Sequence, residues 1–133
     1  MGIVRRRSGE EVRNVSSTEH LNEGWLRSSG EIPEGGLIWL MEGDGASVLD
    51  AAGDACRDAV HALGGRSPIG ILAFDCVSRA RMLGEVGTKI EVERMANEAG
   101  DAPIAGLYTW GEIARTKGIN GFHNQTLVIL AVS

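Results

Sequence analysis

The feature that most constrains the fold of this chain is Ile69–Phe74 (IGILAF), a continuous apolar run that follows Pro68. An apolar run of this length after a proline predicts a buried strand. Ile104–Thr109 (IAGLYT) and Thr126–Val132 (TLVILAV) predict two further strands. The C-terminal half must therefore build a sheet, and other segments must cover it.

Ala46–Leu63 has the period of a helix that could cover such a sheet. Apolar or small side chains recur there every three or four residues: Leu49, Ala52, Cys56, Val60 and Leu63. Asp44 or Ser47 can cap the N-terminus of this helix, and Gly64 and Gly65 can end it.

Residues 77–99 predict a second helical region. Val77–Leu83 predicts a short helix. Thr88 predicts the start of a longer helix, because Thr88 and Glu91 match a capping box. Apolar side chains then keep the helical spacing up to Gly100, which would end the helix: Val92, Met95, Ala96 and Ala99.

The N-terminal part predicts three short strands between turn residues, at Val12–Val15, Glu23–Arg27 and Leu37–Met41. The full order is then β-β-β-α-β-α-β-β. This order indicates the α+β class, with two main helices on one face of a mixed or largely antiparallel sheet. Asn120 and Gly121 predict a turn before the last strand.

Length predicts a single domain, which we place at residues 11–133, after a flexible segment at residues 1–10. That segment contains the basic cluster Arg5–Arg7, which is either a solvated tail or a contact to DNA or anionic lipid. The net charge of −5 argues against nucleic acid as a partner, because phosphate binding requires a basic surplus.

The chain shows no sign of export or of a membrane partner. No apolar run approaches the ~20 residues that span a bilayer. Residues 1–24 also lack the apolar core of a signal peptide. We therefore expect a cytoplasmic protein in which both cysteines, Cys56 and Cys76, are free.

Polar side chains cluster just beyond the three apolar strands of the C-terminal half. Eight of them are candidate ligand-binding residues: Asp75, Cys76, Arg79, Tyr108, Trp110, Glu112, His123 and Asn124. Loops at strand ends often carry binding sites, because a rigid sheet positions them. If the three segments are adjacent, these side chains could line one pocket.

Cys76 has two interpretations. As a nucleophile it would need a base, which His123 could supply while Asn124 or Glu112 orients the imidazole. We favour the other interpretation, a small buried hydrophobe at a strand end, because no cysteine-protease motif surrounds Cys76. The histidines are too dispersed to suggest metal ligands, so we expect neither a metal nor a cofactor.

Glu112, Arg79 and Arg81 also have two interpretations each. Glu112 could hold an amine beside Tyr108 and Trp110, which would add cation–π attraction, or it could form a local cap or ion pair. Arg79 and Arg81 could each hold a carboxylate through charge-assisted hydrogen bonds, or belong to a solvated helix face.

Three segments together resemble the signature regions of the C-terminal domain of the FIST family. They are AFDCVSRARMLG (Ala73–Gly84), AGLYTWGEIA (Ala105–Ala114) and GFHNQTLVIL (Gly121–Leu130). Upstream, EVRNV (Glu11–Val15) and EIPEGGLIWLM (Glu31–Met41) are similar to the family's entry strands and its PEG turn. Each piece alone is weak, but their ordered combination is specific and covers nearly the whole chain.

The resemblance implies a cytoplasmic sensory domain of signal transduction that binds a small ligand, with amino acids as the proposed class. It also implies partners, namely an N-terminal FIST half or attached signalling domains. No catalytic residue or cofactor transfers from the family. The chain departs from the family pattern at Asp75, Ser78, Trp110 and Arg115. Of these, Asp75 would add negative charge to a pocket and Trp110 would narrow it.

We therefore expect a non-catalytic module in which Arg79 takes the ligand's carboxylate and Glu112 takes its amine, while Tyr108 or Trp110 stacks on its body. Two other functions remain open. Cys76 and His123 could support acyl or amide transfer. Alternatively, an exposed sheet edge or the LIWLM surface could assemble the chain into a homo-oligomer.

Overall fold

The computed structural model describes residues 2–6, 9–17, 20–116 and 119–133. Within these ranges the strands are β1 (Gly2–Arg6), β2 (Gly9–Arg13), β3 (Val15–Ser17), β4 (Arg27–Ser28), β5 (Leu37–Leu40), β6 (Gly70–Cys76), β7 (Ile104–Thr109), β8 (Glu112–Thr116), β9 (Ile119–His123) and β10 (Leu127–Val132). The helices are a 3-10 helix (Leu21–Glu23), α1 (Gly45–His61) and α2 (Val77–Ala99). The predicted α+β class is confirmed.

β6 is the central strand of the sheet that carries the core. The strand order is β10-β6-β7, with β10 antiparallel and β7 parallel to β6, so the sheet is mixed. A parallel neighbour needs a crossover connection, and α2 supplies it. Three smaller sheets accompany this one among the described residues: β2-β1-β5, β3-β4 and β8-β9.

Both helices cover one face of this sheet, as predicted. Alternate side chains of β6 point at the helices, because successive residues of a strand face opposite sides. The buried core combines small and apolar side chains of both layers: Ala52 and Cys56 of α1, Ile71 and Ala73 of β6, and Met95 and Ala99 of α2. The Cys56 thiol donates to the Met95 carbonyl at 3.3 Å, which joins the two helices.

The opposite face of the sheet is apolar, and the described residues leave it largely exposed. Leu72 of β6 is 41% exposed, Leu107 of β7 is 58% exposed and Leu130 of β10 is 52% exposed. The prediction that Ile69–Phe74 is buried therefore holds only for Ile71 and Ala73, which face the helices. Periodicity could not show this, since the run is apolar on both faces.

The start of α1 follows the capping prediction. The Asp44 carboxylate accepts from the Ser47 N–H at 2.8 Å, and the Ser47 hydroxyl lies 3.1 Å from the Asp44 N–H. The capping box predicted at Thr88 is wrong. Gly84, with φ 65° and ψ −177°, breaks α2 instead, and Thr88 lies inside the second half, where its hydroxyl donates to the Glu85 carbonyl.

The strand predicted at Glu23–Arg27 is also wrong. The 3-10 helix ends at Glu23, and the Trp25 ring stacks on His20 with ring centroids 3.7 Å apart. Pairing resumes only in β4. Trp25 packs against a residue of an earlier turn. The alternation of apolar and polar residues along a strand does not predict this contact.

The turn predicted at Asn120 and Gly121 is wrong as well, because both residues belong to β9. They pair with Arg115 and Ala114 of β8 in an antiparallel hairpin that the sequence did not predict. Lys117, at the start of the predicted turn segment, lies outside the described residues.

The N-terminal backbone at Gly2–Arg6 pairs with both β2 and β5. Arg7 lies outside the described residues. The boundary drawn between a flexible segment at residues 1–10 and a domain at residues 11–133 stays a prediction. In the part of the chain that the structure describes, neither helix is long and apolar enough to cross a membrane.

Candidate functional site

The three strand ends that carry the predicted site do meet. Asp75 and Cys76 at the end of β6 stand beside Tyr108 and Thr109 of β7, and Asp75 also faces the first residue of β10. The Cys76 N–H donates to the Thr126 carbonyl at 3.1 Å. The expected adjacency is therefore present, but the side chains divide among separate environments rather than lining one pocket.

A buried ion cluster lies behind these strand ends. The Arg79 guanidinium donates from Nη2 to Glu91 and, at 3.1 Å, to the Val48 carbonyl. Its Nε lies 2.9 Å from Asp75 Oδ1. The Arg79 side chain is only 4% exposed, so these groups interact with little water between them. Two carboxylates thus share one guanidinium, and the cluster carries an excess negative charge unless it takes up a proton.

Asp75 is the carboxyl group of the cluster whose pKa is raised. Burial, followed by the charge of Glu91, raises its pKa to about 7, although Arg79 acts in the opposite direction. The pKa of Tyr108 is raised as well, first by burial and then by the charges of Asp75 and Glu91. The cluster therefore changes its charge close to neutral pH.

A cavity of about 570 Å³ opens on one side of the cluster, and we call it the arginine cavity. It lies between the first turns of α1, the first half of α2 and the segment that follows β5. Its apolar lining is Met41, Val48, Ala51 and Met82, and its polar lining is Asn14, Ser47, Ser78 and Gln125. Glu42, Arg79 and Arg81 supply its charged groups.

A smaller cavity of about 250 Å³ lies against the carboxylates, between the second half of α2 and β7, and we call it the carboxylate cavity. Asp75, Glu91 and Tyr108 are its polar residues. The rest of its lining is apolar or glycine: Ala73, Val92, Met95, Ile104, Gly106 and Leu107.

Trp110 is 76% exposed and lies outside both cavities. The Arg81 guanidinium lies over its ring, 5.2 Å from the centroid, within the range of a cation–π contact. Trp110 therefore contacts a residue that lines the arginine cavity. The sequence instead predicts that Trp110 shares a site with Glu112.

Glu112 is buried and fully engaged by threonines. Its carboxylate accepts from the Thr109 hydroxyl, from the Thr126 hydroxyl at 2.8 Å and from the Thr126 N–H at 3.4 Å. Through these bonds Glu112, the first residue of β8, links the last residue of β7 to the residue that precedes β10. Glu112 is therefore a structural junction in this geometry, without an open side for a ligand amine.

His123 and Asn124 hold the N-terminal strands against β9. The Val12 N–H donates to His123 Nδ1 at 3.4 Å, and the Asn124 N–H donates to the Val12 carbonyl at 3.0 Å. The Ser29 hydroxyl donates to Asn124 Oδ1 at 2.8 Å. Burial lowers the pKa of His123, which favours the neutral imidazole that an acceptor at Nδ1 requires.

Two buried charged residues, Arg13 and Glu91, are not predicted as site residues from the sequence. Arg13 pairs with Glu11 and donates to the Phe122 and Glu31 carbonyls. Glu91 was assigned to a capping box. Nothing in the sequence marks either residue as buried, since each lies among other charged residues.

The geometry does not assemble a Cys76–His123 dyad. The Cys76 thiol lies 3.0 Å from the Ser78 hydroxyl, whereas His123 bonds to Val12. No hydrogen bond joins the two among the described residues. Within the same residues, no group of three or more histidine, cysteine or acidic side chains is placed to hold a metal ion.

The described residues form an α+β domain in which two cavities flank a buried ion cluster. The family model for the FIST C domain matches residues 1–115. The chain therefore belongs to the FIST C domain family, a domain associated with signal transduction. No curated protein and no solved structure gives a significant match.

Proposed function

We propose that this chain is a small-molecule sensing module of a cytoplasmic signalling protein, and that its ligand is an amino acid or a similar small carboxylate bound in the arginine cavity. The observation that carries the proposal is this cavity, whose volume of about 570 Å³ falls within the range of ~300–1,000 Å³ for small-molecule sites. Its lining combines apolar walls with convergent polar and charged groups, as small-molecule sites do.

Within this cavity Arg81 is the better candidate for the ligand carboxylate. Arg79 was the sequence-based choice, but its guanidinium is buried against Asp75 and Glu91. Arg81 is exposed and lines the cavity, and Trp110 supports its guanidinium plane. A guanidinium held in this way can bind a carboxylate through two parallel hydrogen bonds.

The amine of a zwitterionic ligand would then face Glu42, which also lines the cavity. Glu112, the sequence-based choice, is occupied by Thr109 and Thr126. The Ser78 hydroxyl, which lies 3.0 Å from the Cys76 thiol, also lines the cavity, whereas the Ser47 hydroxyl is engaged in the cap of α1. That all eight predicted residues contact a ligand stays a prediction.

A thermal-shift screen of the purified chain against amino acids and small carboxylates tests the proposal. A ligand at 100 times its dissociation constant should stabilise the chain by about 2.7 kcal/mol. Arg81→Ala should abolish the shift, whereas Arg66→Ala, which changes an exposed arginine outside the cavity, should keep it. A hit that persists in Arg81→Ala would refute the assignment of the carboxylate site.

The uncovered sheet face supports a second candidate function, assembly of this chain with a second copy. This face carries Leu72, Phe74, Leu107, Val128 and Leu130 and no charged side chain. Two copies with a net charge of −5 each could therefore meet there without direct repulsion. Apolar patches of this kind commonly mark interaction sites.

Light scattering of the wild type and of Leu130→Glu tests this assembly. A dimer that Leu130→Glu dissociates would support it, and Ile113→Glu, at an exposed apolar residue of β8, is the matched control. A strict monomer at high concentration would contradict it. An N-terminal FIST half would then be the partner to test on this face.

A further inference from the structure

The carboxylate cavity is separate from the proposed arginine cavity and has its own chemistry. Its floor is made by Ala73 and Gly106, which face each other across β6 and β7. Their small size leaves a void beneath the second half of α2. Val92 and Met95 close the void from the helix side.

The charges at one end of this cavity do not balance. Asp75 and Glu91 line it, whereas Arg79, the cation that pairs with both, does not. Tyr108 is the one other titratable side chain among the described residues of its lining. The cavity therefore sees two carboxylates, with their counter-ion behind them.

Asp75 also has unused hydrogen-bonding capacity. The residue is only 7% exposed, and its Oδ1 lies 2.9 Å from Arg79 Nε in the ion pair. A carboxylate offers about four lone-pair sites, so the ion pair with Arg79 leaves Asp75 able to accept from a donor that enters the cavity.

We propose that the carboxylate cavity binds a small primary alkylammonium group, whose N–H donors bond to Asp75 and Glu91 while its alkyl chain packs on Val92 and Met95. The ammonium supplies the positive charge and the donors that the cluster lacks. The volume of about 250 Å³ lies below that of drug-sized sites, so the ligand or side chain that enters is short.

The lining distinguishes an organic ammonium from a metal ion. A hard metal ion takes six or more oxygen ligands. The cavity offers two carboxylates and a phenol, and most of its remaining surface is apolar. That apolar surface would make no favourable contact with a bare ion, but it is complementary to a short alkyl chain.

The proton on Asp75 competes with the ammonium. The carboxylate is available above pH 7 and is progressively protonated below it, under the influence of Glu91, Arg79 and burial. Affinity for an ammonium that stays charged should therefore rise from pH 6 to pH 8. An ion bound only at exposed carboxylates would show no such rise in this window, since those carboxylates are already ionised.

Calorimetric titration of the full chain with n-butylammonium chloride at pH 8 tests the proposal. Saturable binding is expected, together with a shift of the Met95 methyl resonance in a parallel NMR titration. Potassium chloride at equal ionic strength, n-butanol and butyrate should produce neither effect. Binding that potassium reproduces, or that leaves the Met95 methyl unchanged, would overturn the proposal.

Three variants locate the site. Asp75→Asn and Glu91→Gln should each weaken binding about tenfold to a hundredfold, the loss expected for a charge-assisted hydrogen bond. Val92→Phe should fill the cavity and abolish binding without changing any charge. Asp101→Asn, at an exposed carboxylate outside the cavity, is the matched control. Unchanged affinity in both Asp75→Asn and Val92→Phe would refute the proposal, even if Glu91→Gln fails to fold.

Discussion

Arg79 and Glu91 form a buried ion pair that joins the two halves of α2 across the break at Gly84. Arg79 belongs to the half that follows β6, and Glu91 belongs to the half that leads to β7. The pair is nearly inaccessible to solvent, and it lies between the two cavities, since Arg79 lines the arginine cavity and Glu91 lines the carboxylate cavity.

Arg79→Ala should destabilise the chain by about 3–5 kcal/mol, because it leaves two buried carboxylates without their cation. Urea denaturation measures the change. Neutralising the whole cluster with Arg79→Met, Asp75→Asn and Glu91→Gln together should restore most of the lost free energy of unfolding. Arg79→Ala with nearly wild-type stability would show that the ion pair is not buried in solution.

Asp75→Asn should make the chain less sensitive to pH. The folded-state pKa of Asp75, about 7, lies above its ordinary value, so the folded state binds the extra proton and stability falls as pH rises from about 4 through 7. Asn mimics the protonated acid and leaves Arg79 paired with Glu91. The variant should therefore be more stable than the wild type at pH 8, by on the order of 1–3 kcal/mol.

Thermal unfolding of both proteins between pH 5 and pH 8 provides the measurement. The difference in melting temperature between Asp75→Asn and the wild type should grow with pH and level off above pH 7. A difference that stays constant over this range, or that changes sign, would contradict the raised pKa of Asp75.

The sequence predicted the sheet and helices better than the site, for physical reasons. Hydrophobic periodicity is a local property, and it located β7 and the cap of α1 at Asp44. The pairing of Arg79 with Glu91 depends on the bend at Gly84, which brings together residues three turns apart. No local pattern encodes that contact.

The exposed face of β6 illustrates the same limit. The run Ile69–Phe74 predicts burial on both sides, yet the helices cover only the side of Ile71 and Ala73. Likewise, the segments that carry Glu112 and His123 were correctly expected to approach the strand ends. Glu112 accepts from Thr126, and His123 accepts from the Val12 backbone. Both contacts depend on the β8–β9 hairpin, which the sequence does not predict.

Glu112→Ala should destabilise the chain by about 2–4 kcal/mol, since it removes an acceptor shared by three donors and leaves these partly buried donors unpaired. In a double-mutant cycle with Thr126→Val, the combined loss should be smaller than the sum of the single losses, because both changes remove one shared hydrogen bond. Additive losses would indicate that Glu112 and Thr126 do not interact. Glu93→Ala, on the outer side of α2, is the control and should have little effect.

Gly111→Ala and Gly53→Ala should change stability in opposite directions. Gly111 has φ +156°, and a Cβ there would lie 2.2 Å from Phe122 Cζ, so alanine forces the β8–β9 hairpin to move. Gly53 lies inside α1, and a Cβ there meets nothing within 4 Å. Gly53→Ala should stabilise the chain by about 0.5–1 kcal/mol through helix propensity. Urea denaturation of the two variants tests the pair, and a stabilising Gly111→Ala would disprove the close approach of Phe122.

His123 should make the acid side of the stability curve steeper, in contrast to Asp75. Burial lowers its folded-state pKa below the ordinary value of about 6.5, so the unfolded state binds more protons and stability is lost as pH falls below that value. NMR titration should show that the His123 imidazole protonates below the ordinary value of about 6.5, and His123→Gln should flatten the decline of melting temperature below that pH. An imidazole that titrates at or above pH 6.5 would mean that the Val12 N–H does not hold Nδ1 as an acceptor, and that β2 is not fixed to β9 through this side chain.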